Sequence, residues 1–156
     1  MTPFRIRRFA DRDAPALARV FLRAVHIGAR LDYSRRQRQA WTQGTPSAAW
    51  IRKRLAGQDV FVATRHGRPV GFMTLRTDGY LDMAFVDPAF AGRGIGSLLL
   101  RKIVEIAKAR DLEQLHTDAS LIAYPLFRRH GWTAVRRQTV RRRGVKLINI
   151  RMELTP

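Results

Sequence analysis

Apolar and polar residues alternate in "FRIRRF" (4–9), which predicts an opening strand. The period then changes. Leu17, Val20, Phe21, Ala24 and Val25 recur at helical spacing. Asp11 or Asp13 stands where a helix cap belongs, and Pro15 is tolerated in the first turn. Two more helices are predicted, over 33–44 with Ser34 as its cap and over 47–57 ending at Gly57. From residue 59 strand-type runs take over, at 59–65, 69–76 and 80–86. They are separated by "HGRP" and "TDG", both turn chemistries, so they predict an antiparallel meander. Ile95, Leu98, Leu99, Ile103, Ile106 and Ala107 then form the apolar face of a helix over 95–110. A short strand (113–119), a short helix ending at Gly131 and two strands around "RRRG" complete the chain. The order is β, helices, βββ, α, β, α, ββ. A meander running into a β-α-β unit gives a mixed sheet of six to seven strands flanked by helices, of the α/β (α+β) class. No repeat or linker-like tract interrupts it, so one domain over 1–156 is expected.

Composition adds exclusions. Cysteine is absent, which removes disulfides, a thiolate nucleophile and cysteine metal ligands. No His/Asp/Glu cluster has metal-ligand spacing, so no metal is expected. The opening segment has no signal-peptide core, and no apolar run is long enough to span a bilayer, so a cytoplasmic location and no membrane partner are expected. Thirty Lys+Arg against twelve Asp+Glu leave a formal charge of +18. Such a surplus favours anionic ligands, among them phosphates, CoA and nucleic acid. The basic run "RRQTVRRRGVK" (136–146) lacks the aromatic residues that base stacking needs, which argues against nucleic acid without excluding it.

The segment "VDPAFAGRGIGSLLL" (86–100) carries the chemistry. Pro88 ends strand pairing, and Gly92, Gly94 and Gly96 lead into a helix. Glycines let a loop turn with positive φ and bring bare backbone to a ligand. The first amides of the helix lack internal partners and carry partial positive charge, so they suit a phosphate. A dinucleotide fingerprint would need glycine where Ser97 stands, and a P-loop would need a lysine that "GIGSL" lacks.

Val86, Pro88, Gly92, Gly94, Gly96 and Leu99 resemble the acyl-CoA-binding motif of the GCN5-related N-acetyltransferases, the GNAT superfamily. A second motif of that family resembles "ASLIAYPLFRRHGW" (119–132), and the element order is similar throughout. "DYS", Trp41, "GRPVGF" and "GVKLIN" further resemble a subgroup of small bacterial acetyltransferases of the YafP type. The resemblance implies a GNAT fold and transfer of an acetyl group from acetyl-CoA to a primary amine, by direct attack in a ternary complex. It implies that Ala91, Gly92, Arg93, Gly94, Ile95, Gly96 and Ser97 hold the pyrophosphate, that Ser120, Ala123 and Phe127 lie along the pantetheine, and that an amide at Phe85 or Val86 polarises the carbonyl.

Two positions depart from the family pattern. Ala91 stands where Gln or Arg is common, and Phe127 stands where many members have a tyrosine acid. Tyr124, one helical turn earlier, is then the candidate acid and Asp82 the candidate base. His116 with Asp118, and the other histidines, are alternatives for the base. The amine pocket is expected around His26, Tyr33, Trp41 and Tyr80, with Arg143 as a further candidate. A homodimer through the last strands also fits the family. The alternative reading, carried by Phe127 and the +18 charge, is a GNAT-fold module that binds CoA or nucleic acid without turnover.

Overall fold

The computed structural model describes residues 3–156. One seven-stranded sheet runs through it. Its strands are β1 (Phe4–Arg8), β2 (Asp59–Arg65), β3 (Arg68–Leu75), β4 (Tyr80–Val86), β5 (Leu115–Ser120), β6 (Thr133–Arg142) and β7 (Val145–Leu154). The spatial order is β1-β2-β3-β4-β5-β7-β6. Every neighbouring pair is antiparallel except β4–β5, which is parallel. The mixed sheet expected from the hydrophobic pattern is the one observed.

Helices α1 (Ala14–Arg23), α2 (Arg35–Thr42) and α3 (Ala48–Leu55) precede β2, α4 (Ile95–Ala109) joins β4 to β5, and α5 (Tyr124–Arg129) joins β5 to β6. Residues of α1 and α3 pack with Val60, Val62, Phe72 and Met83 on one face. Residues of α4, with Phe127 and Trp132, pack with Phe61, Met73, Leu81 and Leu115 on the other. Covered on both faces, β2 and β3 are apolar at successive positions rather than alternating. Ser34 caps α2, its hydroxyl accepting from the Gln37 amide, and Ser47 caps α3 in the same way at Trp50.

Two local expectations need correction. The helical run from Leu17 does not stay α-helical, because α1 continues as a π-helical turn over Ala24–Gly28. The Arg38 guanidinium donates to the His26 carbonyl there, at 2.6 Å. Asp13 does not cap α1. Its buried carboxylate accepts two hydrogen bonds from Arg7, at 2.7 and 2.9 Å, and one from the Ala10 amide. The Arg7 bonds lower its pKa more than burial raises it. A depressed carboxyl stabilises the fold above its unfolded value, near 3.9, and that contribution disappears as pH falls through the folded value. Asp13→Asn is therefore expected to cost about 2 kcal/mol at pH 7. The gap from wild type should shrink below about pH 4. Urea unfolding at pH 7 and pH 3 measures both.

Candidate active site

β4 and β5 pair only at Tyr80–His116 and Leu81–Thr117 and then separate. The buried Thr117 hydroxyl donates to the Leu81 carbonyl, at 2.8 Å, where they part. A register shift between Met73 and Leu75 marks a bulge in the β3–β4 ladder at the same level. Past it, the Asp87 amide donates to the Val70 carbonyl and Phe85 lies opposite Phe72. Alternation turns the Phe85 and Asp87 amides toward β3 and those of Ala84 and Val86 toward the opening. The free donors are thus one residue away from Phe85 on either side.

The glycine loop follows directly. Asp87 fixes its start, since one oxygen accepts from the Ala89 amide while the carboxylate pairs with Arg23 of α1 at 3.2 Å. Gly92 and Gly94 have φ of +75° and +80°, and a Cβ on either would meet no atom within 4 Å. No side chain caps α4 and no acid stands in its first turn. Its first internal hydrogen bond is Leu98 N–H to the Gly94 carbonyl, so the amides before Leu98 face an open, positively polarised cradle. Such a cradle fits a phosphate. Gly96 differs, because its Cβ would lie 2.9 Å from Leu126 Cδ2, so its bareness serves the packing of α4 on α5. Ile95 is buried and anchors the helix, while Ser97 Oγ is 2.8 Å from His130 Nε2. Ala91 and Arg93 are exposed, and the Arg93 guanidinium stands over the Phe90 ring.

Below the opening is a cleft of about 570 Å³. One wall is aromatic, formed by Phe21, Trp41, Trp50 and Phe85, whose rings pack on one another. The other wall is polar and comes from β4, β5 and β7, including Tyr80, Asp82, His116, Asp118, Asn149 and Arg151. Asp82 makes a two-pronged pair with Arg54, both bonds 2.9 Å, and accepts from Gln58 as well. Burial raises its pKa, but the Arg54 and Gln58 hydrogen bonds and the nearby guanidiniums outweigh this and hold it below the ordinary carboxylate range. The Tyr80 hydroxyl donates to Asp118 at 2.8 Å. Burial and that bond push its pKa far up, so it remains a neutral phenol.

Several of the residues singled out from sequence meet at this opening. Ser120, Ala123, Phe127, Phe85, Tyr80, Asp82, Tyr33 and Trp41 all line the cleft. Tyr33 does so without a free hydroxyl. It donates to the Ile148 carbonyl at 2.6 Å and accepts from the Leu121 amide at 2.9 Å, tying the start of α2 to β7 and to the segment after β5. Phe127 is buried edge-on against Trp132. Tyr124 packs on the α4 side and does not line the cleft. His26 lies in a separate depression with Leu22 and Ile27, and its Nε2 is 3.0 Å from the Thr42 hydroxyl. Arg143 forms the hairpin turn, while its neighbour Arg142 reaches the cleft. Sequence reasoning missed Arg54 as the partner of Asp82 and did not place Trp50 among the site residues. Among the described residues no group of His, Asp or Glu could hold a metal ion, and no helix is long and apolar enough to cross a membrane.

Residues 29–154 match the family model of the acetyltransferase (GNAT) domain. The chain belongs to the GNAT acetyltransferase family. Acetyl-CoA is the donor in this family, and the open amide cradle at Gly92–Ser97 fits its phosphates, so the protein is an acetyl-CoA-dependent acetyltransferase. It is 36% identical over 156 residues to the uncharacterized N-acetyltransferase YafP of Escherichia coli, covering 100% of this chain and 99% of that protein. A crystal structure of a GCN5-related N-acetyltransferase from Rhodopseudomonas palustris superposes with a TM-score of 0.94 at 33% identity, covering 100% of this chain and 98% of that one. The fold is also shared with YncA of Salmonella typhimurium, solved with acetyl-CoA, at a TM-score of 0.74 and 20% identity, covering 99% and 94% of the two chains. The GNAT assignment and the resemblance to the YafP type agree with the motifs at 86–100 and 119–132.

Proposed function

We propose that this GNAT protein transfers an acetyl group from acetyl-CoA to a primary amine that attacks directly while both substrates are bound. One observation carries the reading. β4 parts from β5 after Leu81, and this unpaired stretch has Ala84 and Phe85 on the aromatic cleft and runs directly in the chain into the glycine loop that starts α4. A donor held by its phosphates and an acceptor in the cleft would therefore meet beside the Ala84 and Val86 amides.

The roles follow from the chemistry available. Amides from Gly92 to Ser97 hold the pyrophosphate, and Ser120, Ala123, Phe127 and the free β4 edge line the pantetheine path. The Ala84 amide, with Val86 beside it, donates to the thioester oxygen, whose negative charge grows during attack. Phe127 has no proton to give. A thiol with a pKa near 8.5 departs readily as the anion, so our reading uses no protein acid and leaves Tyr124 in a packing role. Asp82, paired with Arg54, is a weak proton acceptor and serves instead to orient the cleft wall. We assign proton removal from the ammonium to His116, whose imidazole stands on that wall and has a ring nitrogen able to accept a proton.

Steady-state kinetics of CoA release test this. Varying both substrates should give intersecting double-reciprocal lines and no acetylated enzyme. His116→Asn should lower kcat/KM about 100-fold, with acetyl-CoA affinity kept. Parallel lines, or a variant as active as wild type, would refute the ternary complex or the base respectively.

A further inference from the structure

The charges in the cleft point to the class of acceptor, given the donor and reaction proposed above, on which this inference rests. Three carboxylates line the cleft, and each is neutralised by a guanidinium. Asp82 pairs with Arg54 at 2.9 Å, Asp78 with Arg76 at 2.7 Å, and Asp118 with Arg151 at 3.3 Å. Arg142 also lines the cleft. The hydrogen bond it makes goes to a backbone carbonyl, that of Arg141, and it pairs with none of the carboxylates. The surplus charge of the cleft is thus positive. The hairpin carrying Arg142 adds Arg141, Arg143 and Lys146 outside it, all exposed. A polycationic amine would meet no free carboxylate here, whereas an anionic group would meet a guanidinium without a counter-ion.

The remaining surfaces limit size and character. The cleft of about 570 Å³ must also admit the acetylated end of the donor, which leaves room for a compact acceptor. Its opposite wall is the packed aromatic group of Phe21, Trp41, Trp50 and Phe85. We infer that the acceptor is a small primary amine that also carries a carboxylate, of the size of an amino acid with an apolar or aromatic side chain, and that Arg142 is its specificity-determining contact. In the reaction the amine nitrogen bonds to the acetyl carbon and the carbon–sulfur bond breaks. CoA leaves as the thiolate and the amine proton passes to the cleft wall.

The test pairs acceptors that differ by the carboxylate alone. CoA release is measured with L-tryptophan, tryptamine and spermidine, and acetyl-CoA binding is measured calorimetrically on the same preparations. Tryptophan is expected to exceed tryptamine in kcat/KM by about tenfold or more, with spermidine poorest. In Arg142→Ala the tryptophan-to-tryptamine ratio should fall toward one, and Arg142→Lys should keep part of it. Preference for tryptamine or spermidine, a ratio that survives Arg142→Ala, or acetyl-CoA binding with no acceptor used would each overturn the inference. A protein that fails to bind acetyl-CoA would instead sink the donor reading beneath it.

Discussion

Gly94→Glu is expected to leave the protein folded and unable to hold acetyl-CoA. Gly94 is the N-cap of α4, with φ of +80°, and a Cβ there would meet nothing within 4 Å. The folded state therefore incurs only the strain of a non-glycine residue in the left-handed region, about 1–2 kcal/mol. The new carboxylate would lie beside the amides of the first turn, where a negative charge is favourable. It would fill the place of the phosphate with a group of the same sign. Two or three charge-assisted bonds are lost and repulsion is added, so affinity should fall at least about 100-fold. Calorimetric titration of both proteins, beside thermal melts, measures this. A variant that binds like wild type would remove the loop from the donor site.

The second large effect falls on turnover. Ala84→Pro should lower kcat about 100- to 1,000-fold while leaving acetyl-CoA affinity within a few-fold. Ala84 lies opposite Met73, and alternation turns its amide away from the β3 ladder into the opening. Proline there deletes a donor that no strand uses, so the sheet loses no hydrogen bond. The same change at Phe85, whose amide faces β3, should instead show as lost stability. Single-turnover rates and melting curves of the two variants separate the roles. Equal kcat for Ala84→Pro and wild type would remove the amide from the reaction.

Much of the fold was legible because local signals agree with it. The turns "HGRP" and "TDG", the caps Ser34 and Ser47, and the apolar face of α4 each specify an element without help from distant residues. The turn of the cradle was legible too, since positive φ at Gly92 and Gly94 favours that residue type. Gly96 shows the limit of such reasoning. It belongs to the same motif, yet its crowding partner Leu126 lies on another helix.

The rest depends on contacts that sequence does not carry. Asp82 looks like a base until Arg54, on α3, is brought to it by the packing of that helix over the sheet. His26 sits close in sequence to Tyr33 and Trp41, but the π-helical turn and Thr42 hold it in a different depression. The opening itself follows from two strands that pair for two residues and then part, which no periodicity encodes.

The central claim is that donor and acceptor meet at the unpaired edge of β4. Backbone amide NMR during titration with acetyl-CoA tests it most directly. The account predicts that the amides of Ala84, Val86, Gly94 and Ser97 shift together along one saturable curve, while those of Phe85 and Asp87, held by β3, move less. Saturable shifts confined to another surface, or cradle shifts without Ala84 and Val86, would contradict it.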